Sequence, residues 1–177
     1  PGRHSTRMKY PQVRNYIGGG FAVAALPEID VFDPSAGTVI SRVPMSGVAE
    51  LNAAVTAAKR AFPAWAALPI KERVQVFYRY KALLEKNIAS LAALVTEENG
   101  KIDSEARAEV LKSAELSEFA CSLPQIATGE VLEVSRGVEC RIERFPLGVV
   151  AGITPFNFPN MVPNWSIPNA IALGNCF

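Results

Sequence analysis

Histidine is almost absent from this sequence. The single imidazole belongs to His4, close to the amino terminus. Metal centres usually combine several histidine, cysteine or acidic ligands, and serine and cysteine nucleophiles are commonly activated by a neighbouring histidine. The sequence therefore excludes most metal sites and every Ser-His or Cys-His pair, and we expect no bound metal.

Cysteine is also scarce. Cys121, Cys140 and Cys176 lie far apart, are odd in number and show no Cys-x-x-Cys spacing. This distribution favours reduced thiols in a reducing compartment over a disulfide framework, so we expect a protein that is not secreted. We predict that each of the three is a small buried hydrophobe rather than a reactive thiol.

The chain lacks an excess of charge and a long apolar run. Its formal net charge is +1, and no apolar segment approaches the roughly 20 residues of a membrane span. Neither a nucleic acid nor a membrane is therefore indicated as a partner. The 177 residues, 49% apolar and 20% charged, are typical of one soluble globular domain.

Acidic residues are missing from the first part of the chain, where the earliest is Glu28. Residues 1–15 carry only basic charges (Arg3, Arg7, Lys9, Arg14). Such a segment suits a remnant of a mitochondrial presequence, or else a disordered tail or a cloning remnant ending near Met8. We favour the disordered tail or cloning remnant for residues 1–15.

Two short segments then indicate turns and strands. Residues 16–21 are rich in glycine, but no helix follows, so they predict a turn or strand edge and not a phosphate loop. Residues 29–32 and 38–43 flank residues 33–37, whose composition favours a tight turn. We predict a β-hairpin or a pair of edge strands there.

The middle of the chain shows helical periodicity. Ser46 is a candidate N-cap for a first helix that Pro63 ends, with apolar positions at Val48, Leu51, Val55, Ala58 and Phe62. A second helix begins near Pro69 and presents Val74, Phe77, Tyr78, Leu84 and Ile88. It continues, or breaks briefly at Asn87, up to a C-cap at Gly100.

A third helix is predicted over residues 104–121 and stopped by Pro124. Its many charges are most simply a solvated face (Glu105, Arg107, Glu109, Lys112, Glu115, Glu118). Residues 131–142 then alternate apolar and polar side chains around a turn at residues 135–137, which predicts a two-stranded ribbon. Such a ribbon is marginal alone, so it covers its own domain or reaches a partner subunit.

An uncharged apolar run lies near the end of the chain. Its β-branched residues Val149, Val150 and Ile153 favour a strand buried on both faces, and Pro155 ends that strand because it has no N–H to donate. A helix follows over residues 161–173 and is closed by Gly174.

Asn157 lies between this strand and this helix. Open α/β sheets bind ligands beyond the carboxyl ends of their strands, so the amide is a candidate functional group. The alternative is that Asn157 caps the following helix or satisfies the backbone of the turn.

Residues 146–159, Pro-Leu-Gly-Val-Val-Ala-Gly-Ile-Thr-Pro-Phe-Asn-Phe-Pro, resemble the aldehyde dehydrogenase superfamily, and residues 97–101 resemble its Glu-x-Gly-Lys helix end. Phe156, followed by Val162-Pro163 and Trp165, is most similar to the methylmalonate-semialdehyde dehydrogenases. The resemblance covers about residues 16–177, roughly the first third of a family member.

The resemblance implies an α/β fold, the amino-terminal part of a Rossmann-like NAD-binding domain with a β-hairpin oligomerisation arm. Residues 16–127 would be strands and helices of the cofactor-binding domain, residues 128–145 the oligomerisation hairpin, and residues 146–177 the first buried strand and helix of the NAD-binding sheet. Family members are oligomers, so the resemblance implies a dimer or tetramer. It also implies a location in the bacterial cytoplasm or the mitochondrial matrix.

It also implies a reaction. In this family a cysteine thiolate attacks a small aldehyde, hydride passes to NAD, and a thioester remains. Methylmalonate-semialdehyde dehydrogenases transfer that acyl group to coenzyme A, whereas most relatives hydrolyse it. Asn157 matches the family's oxyanion donor, and Ile153, Thr154, Pro155 and Phe156 match the turn that packs on NAD.

The sequence departs from the family in two respects. The nucleophilic cysteine, the general-base glutamate and the adenosine-binding lysine would all lie beyond Phe177, so we expect the chain alone to be inactive. An alternative is a non-catalytic truncated subunit that acts as an oligomerisation module. Asparagine also replaces usually apolar or small residues at three positions (Asn160, Asn164, Asn169).

Overall fold

The computed structural model describes residues 8–22 and 25–177. Its first elements are two antiparallel hairpins. Strands β1 (Tyr16–Ile17) and β2 (Gly20–Phe21) pair around the glycines, which confirms a strand edge there. Strands β3 (Glu28–Asp33) and β4 (Thr38–Pro44) form the predicted hairpin, with a register shift between Val31 and Phe32.

Residues 8–15 do not behave as the predicted tail. Tyr10 N–H donates to the Ile40 carbonyl at 3.0 Å and Val13 N–H to the Arg42 carbonyl at 2.8 Å, so the segment runs along β4. The first seven residues of that predicted tail lie outside the described residues.

Five helices follow, and two prolines do not end them as predicted. They are α1 (Val48–Ala66), α2 (Ile70–Arg73), α3 (Gln75–Lys86), α4 (Ile88–Asn99) and α5 (Asp103–Ile126). Pro63 lies inside α1, whose last turn is held because the Trp65 indole N–H donates to the Ile171 carbonyl at 2.8 Å. Pro124 lies inside α5, where the preceding Leu123 is buried in the core. Tertiary contacts thus override the local preference of proline.

Two further local predictions need correction. The N-cap of α1 is Gly47, one residue later than predicted, because the Ser46 hydroxyl accepts from Asn15 Nδ2 and Glu50 takes the Gly47 N–H at 2.7 Å. Tyr78 is exposed rather than on the buried face of α3. The break at Asn87 and the C-cap at Gly100, which has φ 78°, are as predicted.

Helix α5 is the centre of the molecule and packs against α3, α4 and the last helix, α6 (Met161–Ala172). Small residues on its inner side allow this close approach, and all are fully buried (Ala106, Ser113, Ser117, Ala120). The main core joins α3, α5 and α6 around Val74 and Phe77. A second core cluster joins α4 to α5 through Ala92, Val95 and Ala106.

The ribbon is present as β5 (Glu130–Ser135) and β6 (Val138–Ile142), and every one of its residues is exposed. The buried strand predicted at Val149, Val150 and Ile153 does not form. Within the described residues Val149 makes only one parallel bridge, to Cys176, and Ile153 is fully exposed. A strand buried on both faces needs neighbouring strands, and within the described residues only Cys176 pairs with it.

Candidate active-site loop

The predicted site residues Ile153, Thr154, Pro155, Phe156 and Asn157 form one continuous exposed segment. It has no regular secondary structure and leads through a turn into α6. The structure therefore brings all five predicted residues together at one surface, directly before the amino terminus of that helix.

The end of α4 holds the main chain of this loop. Asn99 Nδ2 donates to the Phe156 carbonyl at 2.8 Å, and Lys101 Nζ donates to the Asn157 carbonyl at 2.8 Å. Gly100, between the two donors, has a φ of 78°, a backbone conformation that favours glycine. A Cβ at this residue would also approach Pro34 Cγ to 3.1 Å.

Glu109, on α5, is buried and not part of a solvated face as predicted. Its side chain has no exposed surface, and Oε2 accepts from Lys101 Nζ at 2.7 Å. Oε1 accepts from the Asn160 N–H at 2.7 Å and from the Met161 N–H at 3.1 Å. The carboxylate therefore neutralises a lysine and caps the positive end of α6 with one side chain.

Lys101 is held from three directions. Besides Glu109 and the Asn157 carbonyl, its ammonium lies 3.9 Å from the centroid of the Phe158 ring, in a cation–π contact. Its side chain is only 10% exposed. A long flexible side chain is thus fixed beneath the loop.

The side chain of Asn157 differs from those of Lys101 and Glu109, because it does not hold the loop or the helix. Within residues 8–22 and 25–177 its amide has no hydrogen-bond partner, and only its main-chain carbonyl is engaged. The cap of α6 comes from Glu109, so the alternative in which Asn157 caps the helix is wrong. The amide remains available to a ligand.

The three unusual asparagines have different environments. Asn160 Oδ1 accepts from the Ser113 hydroxyl at 2.6 Å, and buried Asn164 donates to the Asn160 carbonyl at 2.8 Å. Asn169 donates to the Trp165 carbonyl at 3.0 Å, but its Oδ1 is buried without a partner in the described part of the chain.

The cysteines do not converge on the loop. Cys121 is buried on α5, as predicted, whereas Cys140 is exposed on the ribbon and Cys176 is half-buried, which corrects the prediction for those two. Burial raises the pKa of the Cys121 and Cys176 thiols. No cluster of metal-ligating side chains occurs in the described ranges, nor do they contain a helix long and apolar enough to cross a membrane.

The supporting residues Asn99, Lys101 and Glu109 were missed as functional residues. One signal was available for Glu109: it is three residues after Ala106 and four before Ser113, on the stripe of small residues. A carboxylate among small buried residues indicates a specific partner.

Residues 22–177 match the aldehyde dehydrogenase family, and the chain belongs to that family of oxidoreductases. The predicted resemblance and fold class are confirmed: the chain has the fold of the amino-terminal third of an aldehyde dehydrogenase.

Particular relatives narrow the comparison. The chain is 44% identical over 167 residues to malonate-semialdehyde dehydrogenase 2 of Geobacillus thermodenitrificans, covering 93% of this chain and 35% of that protein. The corresponding Bacillus mycoides protein is 46% identical over the same length. The chain thus spans about a third of the length of these relatives.

Two solved structures of similar proteins have the same fold over this part of their chains. The crystal structure of methylmalonate-semialdehyde dehydrogenase from Oceanimonas doudoroffii superimposes with a TM-score of 0.92 at 37% identity, over 95% of this chain and 35% of that one. A Sinorhizobium meliloti protein, provisionally named methylmalonate-semialdehyde dehydrogenase and solved in complex with NAD, gives 0.89 at 35% identity, over 97% of this chain and 35% of that one.

Proposed function

We propose that this chain supplies the oxyanion donor and one wall of the NAD site of a malonate- or methylmalonate-semialdehyde dehydrogenase. The observation that carries the proposal is the Asn157 amide, unpartnered among the described residues and presented on an exposed loop whose main chain is fixed. The names of the relatives support this substrate class.

Asn157 has the right chemistry for the role. When a thiolate adds to the aldehyde carbon, the π electrons of the C=O bond move onto oxygen. The amide N–H of Asn157 donates to that developing alkoxide, and being neutral it does not itself titrate. Fixed donors aimed at developing charge are usually the largest single contribution to such a rate.

Ile153, Thr154, Pro155 and Phe156 would form the cofactor wall. Ile153 and Phe156 are 102% and 55% exposed, so this loop presents an apolar surface on which a flat ring can pack. NAD, when bound, accepts the hydride. The solved NAD complex of the Sinorhizobium meliloti relative supports this cofactor.

The acyl acceptor is coenzyme A in this proposal, by analogy with the methylmalonate-semialdehyde dehydrogenases. The product is then an acyl-CoA, whereas a hydrolysing relative would release a free acid. The relatives named above are bacterial, which supports the bacterial cytoplasm over the mitochondrial matrix. The chain alone is inactive in this view, because none of its three cysteines matches the nucleophile of the family.

The experiment uses a fusion in which this chain replaces the matching part of the Geobacillus thermodenitrificans enzyme. Asn157→Ala should lower the rate of acylation about 10²- to 10³-fold, because one oxyanion donor is lost. Rapid-mixing measurement of NADH formation gives that rate, and fluorescence titration should show an unchanged Kd for NAD.

The matched control is Asn52→Ala, an exposed asparagine on α1 far along the chain from the loop. It should leave acylation unchanged. Normal acylation in Asn157→Ala would contradict the oxyanion role. Product analysis with and without coenzyme A then separates the acyl-CoA product from the free acid.

A second function, self-association, is favoured by the ribbon. Leu132 lies directly opposite Cys140 in the β5–β6 register, so these residues share one face with Val138 and Ile142. The three large aliphatic side chains of this apolar ribbon face are 48–65% exposed. We propose that it packs against a second copy of the chain, giving a homo-oligomer.

A further inference from the structure

The end of α4 contacts the candidate loop at two consecutive residues. The donors, Asn99 and Lys101, are two positions apart, and their acceptors are the adjacent carbonyls of Phe156 and Asn157. Both bonds go to the main chain, so they fix the path of the loop without occupying the Asn157 amide. Side chains at the end of one helix thereby set the position of the Asn157 backbone.

Glu109 makes this contact rigid. A lysine side chain has four rotatable bonds and loses much rotamer freedom when it is fixed. Here that order comes from an ion pair whose carboxylate is itself fixed by two backbone N–H groups at the start of α6. The buried Lys101–Glu109 ion pair therefore connects the loop to the start of α6.

The consequence concerns the reacting geometry. A donor stabilises a developing oxyanion only if it is already in place, because displacement by about 1 Å can cost 10²-fold in rate. With its main chain fixed at the carbonyl, Asn157 has only two side-chain torsions left to set. Loss of the two hydrogen bonds to the main chain would let the Asn157 side-chain amide move out of position, although the amide itself could still donate a hydrogen bond.

We propose that Asn99 and Lys101 are positioning residues for the Asn157 amide, with Glu109 as the anchor of Lys101. The proposal rests on the oxyanion role proposed above. It assigns to the residues around Gly100 a part in catalysis that acts through the main chain of the loop.

A double-mutant cycle in the same fusion enzyme tests it. Lys101→Met should lower acylation about 10- to 100-fold, and Asn99→Ala, which removes one neutral hydrogen bond, about three- to tenfold. The Kd for NAD should stay unchanged in Lys101→Met, whose contact is to the Asn157 carbonyl and not to the proposed cofactor wall. In the Asn157→Ala background, Lys101→Met should cause no further loss beyond about twofold, because the group that it positions is absent.

Two further variants guard against simple unfolding. Lys101→Met leaves the Glu109 carboxylate buried and unpaired, whereas Lys101→Met with Glu109→Gln removes both charges and should show the same loss of acylation. Lys112→Met is the matched control, since Lys112 is an exposed α5 lysine that pairs with Glu115 on the same helix. It should retain full acylation.

The outcomes separate the two proposals. An equal loss from Lys101→Met with and without Asn157 would assign Lys101 a general structural role and overturn the positioning role. So would normal acylation in both Lys101→Met and Asn99→Ala when Asn157→Ala is slow. Normal acylation in Asn157→Ala itself would instead overturn the oxyanion proposal.

A spectroscopic measurement on the 177-residue chain completes the test. In ¹⁵N-labelled protein, Lys101→Met should shift and broaden the main-chain and side-chain amide signals of Asn157, while Lys112→Met leaves them in place. An unchanged Asn157 spectrum in Lys101→Met would overturn the positioning role without any assay of activity.

Discussion

At the residue scale, buried charge in this protein is matched by fixed partners. Glu109 and Lys101 neutralise each other beneath the loop. Arg73 is buried with no carboxylate partner among residues 8–22 and 25–177, and its guanidinium donates instead to the carbonyls of Ala66, Leu68 and Ala172. Those carbonyls lie at or just beyond the negative ends of α1 and α6, where a cation is favoured. Burial lowers the pKa of Arg73, which nevertheless remains charged near neutral pH.

The cysteines provide a prediction at this scale. Because burial raises the pKa of Cys121 and Cys176, their thiolate populations at pH 7.5 are small, and access to them is limited. Cys140 is exposed. Brief treatment of dilute protein with iodoacetamide should therefore alkylate Cys140 at least about tenfold faster than Cys121. Peptide mass spectrometry checks this, and equal labelling of Cys121 would contradict its placement in the core.

At the scale of elements, two amphipathic segments leave large apolar side chains uncovered within the described residues. Helix α1 has no buried residue, and Val48 and Leu51 on its predicted apolar stripe are 73% and 61% exposed. The apolar ribbon face is exposed as well. Apolar stripes are normally covered, so their exposure agrees with a chain that spans about a third of its relatives.

The ribbon prediction belongs here. Leu132→Lys places a charge on the apolar ribbon face and should weaken self-association, raising the dimer Kd at least about tenfold. The matched control is Val131→Lys, because Val131 is equally exposed but lies on the opposite face, across from Arg141. Sedimentation velocity over a wide concentration range measures both. A wild-type chain that stays monomeric throughout would refute the self-association proposal.

At the scale of the whole molecule, the chain exposes much surface for its size. Its accessible area is 12145 Å², whereas a folded monomer of this mass exposes roughly 8,400 Å².

The amino-terminal segment is nevertheless tied to the helices. Lys9 forms an ion pair with Glu97 on α4, and the Tyr10 hydroxyl donates to the same carboxylate at 2.7 Å. Residues 88 positions apart are thereby joined.

This tie should depend on pH. The hydrogen bond from Lys9, and then that from Tyr10, lowers the pKa of Glu97 below its ordinary 4.5. A carboxyl whose folded pKa is depressed contributes stability above its unfolded pKa and loses it as the pH falls through the folded pKa. The Val13 N–H, which donates to the Arg42 carbonyl, should therefore exchange with solvent faster in Glu97→Gln than in wild type at pH 6. The ratio of the two rates should approach one as the pH falls below 4.5 and through the lowered pKa of Glu97.

Hydrogen-exchange NMR at matched pH gives this ratio. Glu98→Gln is the control, since Glu98 is the exposed neighbour of Glu97 and should leave Val13 unchanged. A ratio that is constant from pH 6 to pH 3 would show that Glu97 ionisation does not hold the amino-terminal segment.

Features that depend on local chemistry could be predicted from the sequence. The β3–β4 hairpin follows from its turn residues, the helix boundary at Gly100 from a left-handed φ, and the position of Asn157 between a β-branched run and a helix from residue order. The resemblance to the family also required only the residues themselves. In each case the cause lies within a few neighbouring positions.

Other features could not be predicted from the sequence, because they depend on contacts between residues that lie far apart in the chain. Pro63 and Pro124 remain helical since distant packing outweighs one lost hydrogen bond. The run at Val149 is unburied because a parallel strand needs partners that the described residues provide only at Cys176. Glu109 leaves the solvent because its three donors arrive from residues 101, 160 and 161. The stripe of small residues on α5 indicates that Glu109 is buried, but it does not indicate which residues pair with it.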